Sequence, residues 1–113
     1  MSSESAFART PDPPYFAVIF TSQRTGENDG YAPAAARMVE LAATQPGFLG
    51  IESARDAQGF GITVSYWTST EAIARWKANA EHVVAQELGI RTWYRHYELR
   101  VAKVERAYAK AAA

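Results

Sequence analysis

Trp76 and His82 lie six residues apart in "EAIARWKANAEH", and a second histidine, His96, follows in "YRHYELR". An indole offers a flat apolar wall for a ring-shaped ligand, and a neutral imidazole can act as a base or a haem ligand. Whether they act together depends on helical geometry. At 100° per residue Ile73, Trp76, Ala80, Val83 and Val84 make one apolar stripe, with Trp76 about 30° from its centre. That placement suits a core tryptophan closing the helix onto a sheet, and equally the wall of a cavity between the two. His82 falls roughly 150° from the stripe and faces solvent on a regular helix. It joins Trp76 only if the helix breaks near "NAEH", where Asn79 is a weak helix former. His96 alternates with Tyr94, Glu98 and Arg100, a ladder that reads as a cross-strand network or interface more readily than as a catalytic cluster.

Other chemistries lack their residues. The chain has no cysteine, which removes disulfides, thiolate metal sites and cysteine nucleophiles. Neither the two histidines nor any His/Asp/Glu triplet has metal-ligand spacing. "GFGIT" has no lysine and no following helix for a phosphate loop, and no Gly-x-Ser-x-Gly elbow occurs. Twelve basic residues balance twelve acidic ones, so no basic stripe suggests nucleic acid and no net charge draws the chain to an anionic membrane. No apolar stretch approaches the length of a membrane span, and "MSSESAFARTPDPP" has no apolar signal core. The expectation is a soluble, cytoplasmic protein without nucleic-acid or membrane partners.

The elements that would position these residues follow from changes of period. Residues 1–14 read as a flexible leader, 15–106 as one domain and 107–113 as a tail. "YFAVIFTS" (15–22) is a strand of aromatic and β-branched residues. A helix can begin at Asp29, tolerating Pro33 in its first turn, with Tyr31, Ala34, Ala35, Met38, Leu41 and Ala42 on one face. "TQPG" stops it. "FLGIESAR" (48–55) and "FGITVSYW" (60–67) are strands joined by the turn "DAQG", an antiparallel hairpin. In the latter, Ile62, Val64 and Tyr66 face one way and Thr63, Ser65 and Trp67 the other. "TSTE" is a capping box, Thr68 with Glu71, for a helix ending at Gly89. "RTWYRHYELRVAKVER" (91–106) is a long last strand.

The order β-α-β, β-α-β implies an α+β, ferredoxin-like βαββαβ domain, with two helices on one face of a four-stranded antiparallel sheet. Strict alternation in the last strand sends Trp93, Tyr97, Leu99 and Val101 one way, and Tyr94, His96, Glu98, Arg100 and Val104 the other. Both sheet faces therefore carry large groups while helices cover only one. A second copy, packed face to face in a two-fold homodimer, is the economical cover.

"YFAVIFTSQ", "MVELAATQPGFLGIES", "GITVSYWTSTEAIARWK" and "WYRHYELRVAKVE" resemble the antibiotic-biosynthesis-monooxygenase family of the dimeric α/β-barrel superfamily. The most telling pieces are "QPGF" before the second strand, and a strand ending in Trp before a capped helix with an internal "ARW". The resemblance implies a homodimeric barrel with a ligand cleft between helices and sheet in each subunit. It implies cofactor-free oxidation of a small phenolic or quinol ligand, with Trp76 and His82 as catalytic candidates. Phe20, Met38, Trp67 and His96 are candidates to line the substrate. A non-catalytic small-molecule-binding dimer is the alternative. The haem-degrading branch uses an Asn on the first strand, a Trp on the second helix and a later His. Trp76 matches that Trp and His82 follows it at a shorter spacing, but "YFAVIFTS" has no Asn, so no cofactor, haem included, is expected.

Overall fold

The computed structural model describes residues 6–26, 30–86 and 93–110, with 82–86 described by backbone alone. Its elements are β1 (Tyr15–Arg24), α1 (Tyr31–Ala43), β2 (Phe48–Arg55), β3 (Phe60–Trp67), α2 (Thr70–Gln86) and β4 (Tyr94–Val104). The strands form one sheet in the order β2-β3-β1-β4, with every neighbouring pair antiparallel. This is the ferredoxin-like βαββαβ arrangement expected from the sequence.

The pairing register sorts the side chains by face, because directly opposed residues point the same way. Phe16 lies opposite Trp67, Val18 opposite Ser65, and Phe20 opposite Thr63. These residues, with Phe48 on β2, face the helices. Tyr15, Ala17 and Ile19 share the other face with Ile62, Val64 and Tyr66. The alternation expected for β3 is therefore present. The core is the helix-side cluster of Val18, Trp67, Ala72 and Ile73, flanked by Phe16, Phe48 and Trp76. At its centre Trp67 has no exposed surface. Its ring stacks on Trp76 at 6.0 Å and meets Phe48 edge-on at 5.4 Å. Burial of the indole leaves one polar atom to satisfy, and its N–H donates to Ser65 Oγ at 2.9 Å.

Both helix starts differ in detail from the sequence reading. Asp29, the expected cap of α1, lies outside the described residues, and the N-cap position is Gly30 at φ 74° with no side-chain cap. Ala34 and Ala42 are buried, and Tyr31, Met38 and Leu41 half-buried, so the apolar face is the expected one. At α2 the expected Thr68 box is replaced by a cap one residue later. The Ala72 N–H donates to Ser69 Oγ at 3.1 Å, while the Thr68 N–H is drawn off to the Gly47 carbonyl at 2.9 Å. That second bond docks the α1–β2 turn on the start of α2. Gly47 has φ 88°, and a Cβ there would lie 2.6 Å from Ala72 Cβ, so glycine is required by both backbone and space. Further along, Asn79 Nδ2 donates to Gln45 Oε1 at 2.9 Å. The helix runs unbroken from Thr70 to Gln86, through Asn79 and His82. Its expected end at Gly89 lies outside the described residues, as do 91 and 92 of the expected last strand.

The leader, expected to be flexible, is over its described part laid across β2 on the helix-free face. The Ala8 N–H donates to Glu52 Oε2 at 3.0 Å, and the Tyr66 hydroxyl donates to Glu52 Oε1 at 2.7 Å. Gly50 lets the segment approach, since a Cβ there would stand 2.7 Å from Ala8 Cβ.

Ser69→Ala should lower the unfolding free energy by about 1 kcal/mol, and Thr68→Ala by only a few tenths. Urea denaturation checks this, and the opposite order would return the cap to Thr68.

Candidate functional site

The site is set by an irregularity in β4. Gln23 pairs with His96, but the next residue of β1, Arg24, pairs with Tyr94, so Arg95 is an extra residue in the ladder. Such a bulge re-aims the side chains beyond it. Strict alternation would put Tyr94 beside His96 on the helix-free face. The bulge instead turns it to the helix side, the side of Tyr97, and this corrects the sequence reading of that strand. The Tyr94 ring lies 5.4 Å from Phe20, 6.0 Å from Tyr31 and 6.5 Å from Tyr97. Phe20 also meets Tyr97 at 5.4 Å, and Tyr31 meets the buried Trp93 at 5.9 Å. Five aromatic rings thus gather where β1, β4 and the start of α1 converge.

Two guanidinium groups border this cluster. Arg24 lies 3.4 Å from the Tyr31 ring centroid and donates through Nε to the Trp93 carbonyl at 3.2 Å. Arg55, two strands away on β2, reaches across the sheet. Its Nη2 donates to Ser22 Oγ at 2.8 Å and its Nη1 to the Ser22 carbonyl at 3.3 Å, with a further short bond to the Gly59 carbonyl. Gly61 stands between them on β3, and a Cβ there would sit 2.7 Å from the guanidinium carbon. The crossing therefore depends on a glycine at 61. Arg55 ends 5.9 Å from the Tyr94 ring centroid.

The Tyr94 hydroxyl donates to the Tyr31 hydroxyl at 3.4 Å. Burial, foremost, and then that hydrogen bond push its pKa well above the ordinary tyrosine value, against the pull of Arg55 and Arg24. Tyr94 is therefore a neutral phenol, able to donate, at any physiological pH. On the edge strand beside it, Tyr97, Leu99 and Val101 are 43 %, 48 % and 51 % exposed on the helix side. They form an apolar strip that the packed end of the domain does not cover.

The residues expected from the sequence divide between these two ends. Phe20 belongs to the aromatic cluster. Met38 is half-buried on the inner face of α1, and Trp76 is half-buried and stacked on Trp67. Trp67 itself has no exposed surface, so it supports the layer from within and presents nothing to a ligand. His96 lies on the helix-free face, exposed, with its Nε2 3.1 Å from Glu98 Oε2, and so does not share the space near Trp76. Arg100 completes that ladder at 2.9 Å from Glu98 Oε1, and the hydrogen bond with His96, then the Arg100 charge, hold the Glu98 carboxyl below its usual pKa. The His82 side chain lies outside the described residues. The sequence reading passed over Tyr31, Tyr94, Arg24 and Arg55. The one signal that could have pointed to a side chain passing over the sheet is Gly61 inside β3. Among the described residues no group of three or more His, Asp or Glu side chains could hold a metal ion, and no helix is long and apolar enough to cross a membrane.

Two tyrosines should ionise last. Tyr66, pushed up to about 12 mainly by burial and then by its bond to Glu52, joins Tyr94 above the ordinary value of 10.0. Their folded pKa values exceed the unfolded ones, so the stability they lend is full below pH 10 and is lost as pH climbs through the folded values. Tyrosinate absorbance should show a late-ionising fraction that shrinks in Tyr66→Phe and in Tyr94→Phe, and alkaline unfolding should set in above pH 10. Titration of all tyrosines together near 10 would contradict this.

A family model described as antibiotic biosynthesis monooxygenase matches residues 14–88. The uncharacterised protein YqjZ of Bacillus subtilis (strain 168) is 56 % identical over 99 residues, covering 88 % of this chain and 87 % of that protein. Among solved structures, SnoaB, a cofactor-independent oxygenase from Streptomyces nogalater, superposes with a TM-score of 0.65 at 20 % identity, over 88 % of this chain and 100 % of that one. PA3566 from Pseudomonas aeruginosa does so with 0.64 at 15 %, over 87 % and 99 %. At such identities the structures attest the fold, whereas the family model, spanning the first three strands and both helices, attests descent. The chain belongs to the antibiotic biosynthesis monooxygenase family.

Proposed function

We propose that this chain is a cofactor-independent monooxygenase of a small hydroxylated aromatic molecule, held between the helices and the sheet of a homodimer. The observation that carries this reading is the half-exposed strip of Tyr97, Leu99 and Val101 running into the rings of Phe20, Tyr31 and Tyr94 on the helix side. Apolar walls with a few convergent polar groups are what a small aromatic ligand needs. Similarity to a cofactor-independent oxygenase supports the reaction type.

Such a reaction asks little of the protein, because the substrate supplies all the electrons. A phenol and O₂ give a para-quinone and water. One oxygen atom bonds to the para carbon, the other leaves as water with the two hydrogens that the ring gives up, and the ring loses four electrons. The first step, electron transfer from ring to O₂, is easiest from the phenolate. The positive field of Arg24 and Arg55 favours that anion, and the Tyr31 hydroxyl, which accepts from Tyr94, keeps its own O–H to donate to the phenolate oxygen. Trp76, Phe20 and Met38 serve as walls that keep bulk water from the intermediate. Haem has no part in this account. The one amide side chain of β1, Gln23, is turned to the helix-free face and donates to the Gln58 carbonyl at 2.8 Å.

The homodimer is proposed through the helix-free face. Phe60 and Ile62 are 47 % and 42 % exposed there, in line with Val64, while β4 offers the charged His96–Glu98–Arg100 ladder. A face of this kind gains by self-pairing about a two-fold axis.

An oxygen electrode with a panel of phenols and hydroquinones tests the activity. Uptake should appear with at least one member and fall about tenfold or more in Trp76→Phe and Tyr97→Ala, about 1.4 kcal/mol of transition-state stabilisation. No uptake with any member would leave a binding protein without turnover. Ile62→Glu should convert a dimer to a monomer in light scattering, and a dimer that survives it would place the interface elsewhere.

A further inference from the structure

The open end of the sheet carries a concavity of about 340 Å³ beside the aromatic cluster. Its lining includes Arg24, Arg55 and Arg95, together with Gln23, Asp56 and Gly59. Among the described residues that line it, three are arginines and one is an acid. That carboxylate is engaged, since Asp56 Oδ1 accepts the N–H groups of Gln58 at 2.9 Å and Phe60 at 3.0 Å to form the β2–β3 turn.

The cationic groups are also held in place. Arg55 is anchored on the buried Ser22 through both the hydroxyl and the carbonyl, and it can lie there only because residue 61 lacks a Cβ. Arg24 is fixed over Tyr31 and on the Trp93 carbonyl. Arg95 is the bulge residue itself, so the irregularity that turns Tyr94 inward also brings a guanidinium to the rim. An arginine fork matches a carboxylate in shape as well as charge, and one that is immobilised beforehand loses little entropy on binding.

We propose that this concavity is the subsite for a carboxylate carried by the aromatic ligand, so that the substrate class is an aromatic acid whose ring lies against Phe20, Tyr31 and Tyr94. This deepens the oxygenase reading and rests on it for the position of the ring. The acid group sits at the arginine end, and the ring extends towards Tyr97 and Leu99. A carboxylate bound there would fix which ring carbon is presented to O₂.

Calorimetric titration with 3,4-dihydroxybenzoate and with 3,4-dihydroxybenzamide isolates the charge, because the two differ only in that group. The acid should bind at least about tenfold more tightly, the worth of one charge-assisted pair, and the preference should shrink as salt rises from roughly 0.05 to 0.5 M. Arg55→Gln should reduce the preference to within about threefold. Gly61→Ala should do the same while leaving every charge in the chain, a result that a diffuse surface potential would not give. If Arg55→Gln fails to fold, Arg95→Gln, at an exposed position, takes its place in the test. Equal affinities for acid and amide, no binding of the acid at low millimolar concentration, or a preference that survives these substitutions would overturn the proposal. Binding is read without turnover. Acid binding without oxygen uptake would uphold the subsite and overturn the oxygenase reading, and uptake with acid and amide alike would do the reverse.

Discussion

The stack of Trp67 on Trp76 holds the helix layer to the sheet, and it is the packed end against which the open end is set. Trp67 is enclosed by Phe48 on one strand and Trp76 on α2, with its indole N–H on Ser65. Two large rings in contact fix both the height and the direction of α2 where it leaves β3. Gly47 and Ser69 tie the same corner, one by admitting Ala72 and Thr68 at close range and the other by capping the helix. This end of the domain is closed. Among the described residues the opposite end has no such stack above β4, and there Tyr97, Leu99 and Val101 keep nearly half their surface. One sheet thus carries a packed half, which supplies stability, and an open half, which can receive a ligand.

Within the open half, a single inserted residue does two things. The bulge at Arg95 moves Tyr94 into the aromatic group and leaves a cation at the rim. Arg55 complements it from the far edge by crossing Gly61, so that the charged groups come from β1, β2 and β4 although only β1 and β4 are neighbours. The polarity is graded: aliphatic along β4, aromatic where Phe20, Tyr31 and Tyr94 meet, cationic at the mouth. A ligand with an apolar ring and an anionic end would be oriented by that gradient without a metal or a covalent anchor.

The fold was legible because each element announced itself by period. β3 alternates, α1 repeats its apolar positions at helical spacing, and the polar turn between β2 and β3 leaves only an antiparallel hairpin. Helical periodicity likewise puts Trp76 on the inner face of α2, whereas Phe20 entered only through the family resemblance. The arginine and tyrosine arrangement was not. Alternation assigns Tyr94 to the wrong face because a bulge has no reliable signature in one sequence, and nothing in "ESAR" tells that Arg55 reaches a serine two strands away. The cap at α2 was misplaced by one residue because Thr68 and Ser69 are both good caps. Tertiary contact decided between them, by taking the Thr68 N–H for Gly47. Trp67 and His96 had suitable chemistry, but a ligand needs accessible surface on the right face, and burial removes it from one while strand parity removes it from the other.

The central claim is that the substrate reduces O₂ directly, without a metal, flavin or haem. Turnover under ¹⁸O₂, with chelator present and the preparation free of flavin and haem absorbance, tests it most directly by mass spectrometry of a product whose oxygen does not exchange with water. The account predicts one labelled oxygen atom in the organic product and the other in water. Product containing no label, or oxidation that depends on an added reductant or cofactor, would contradict it.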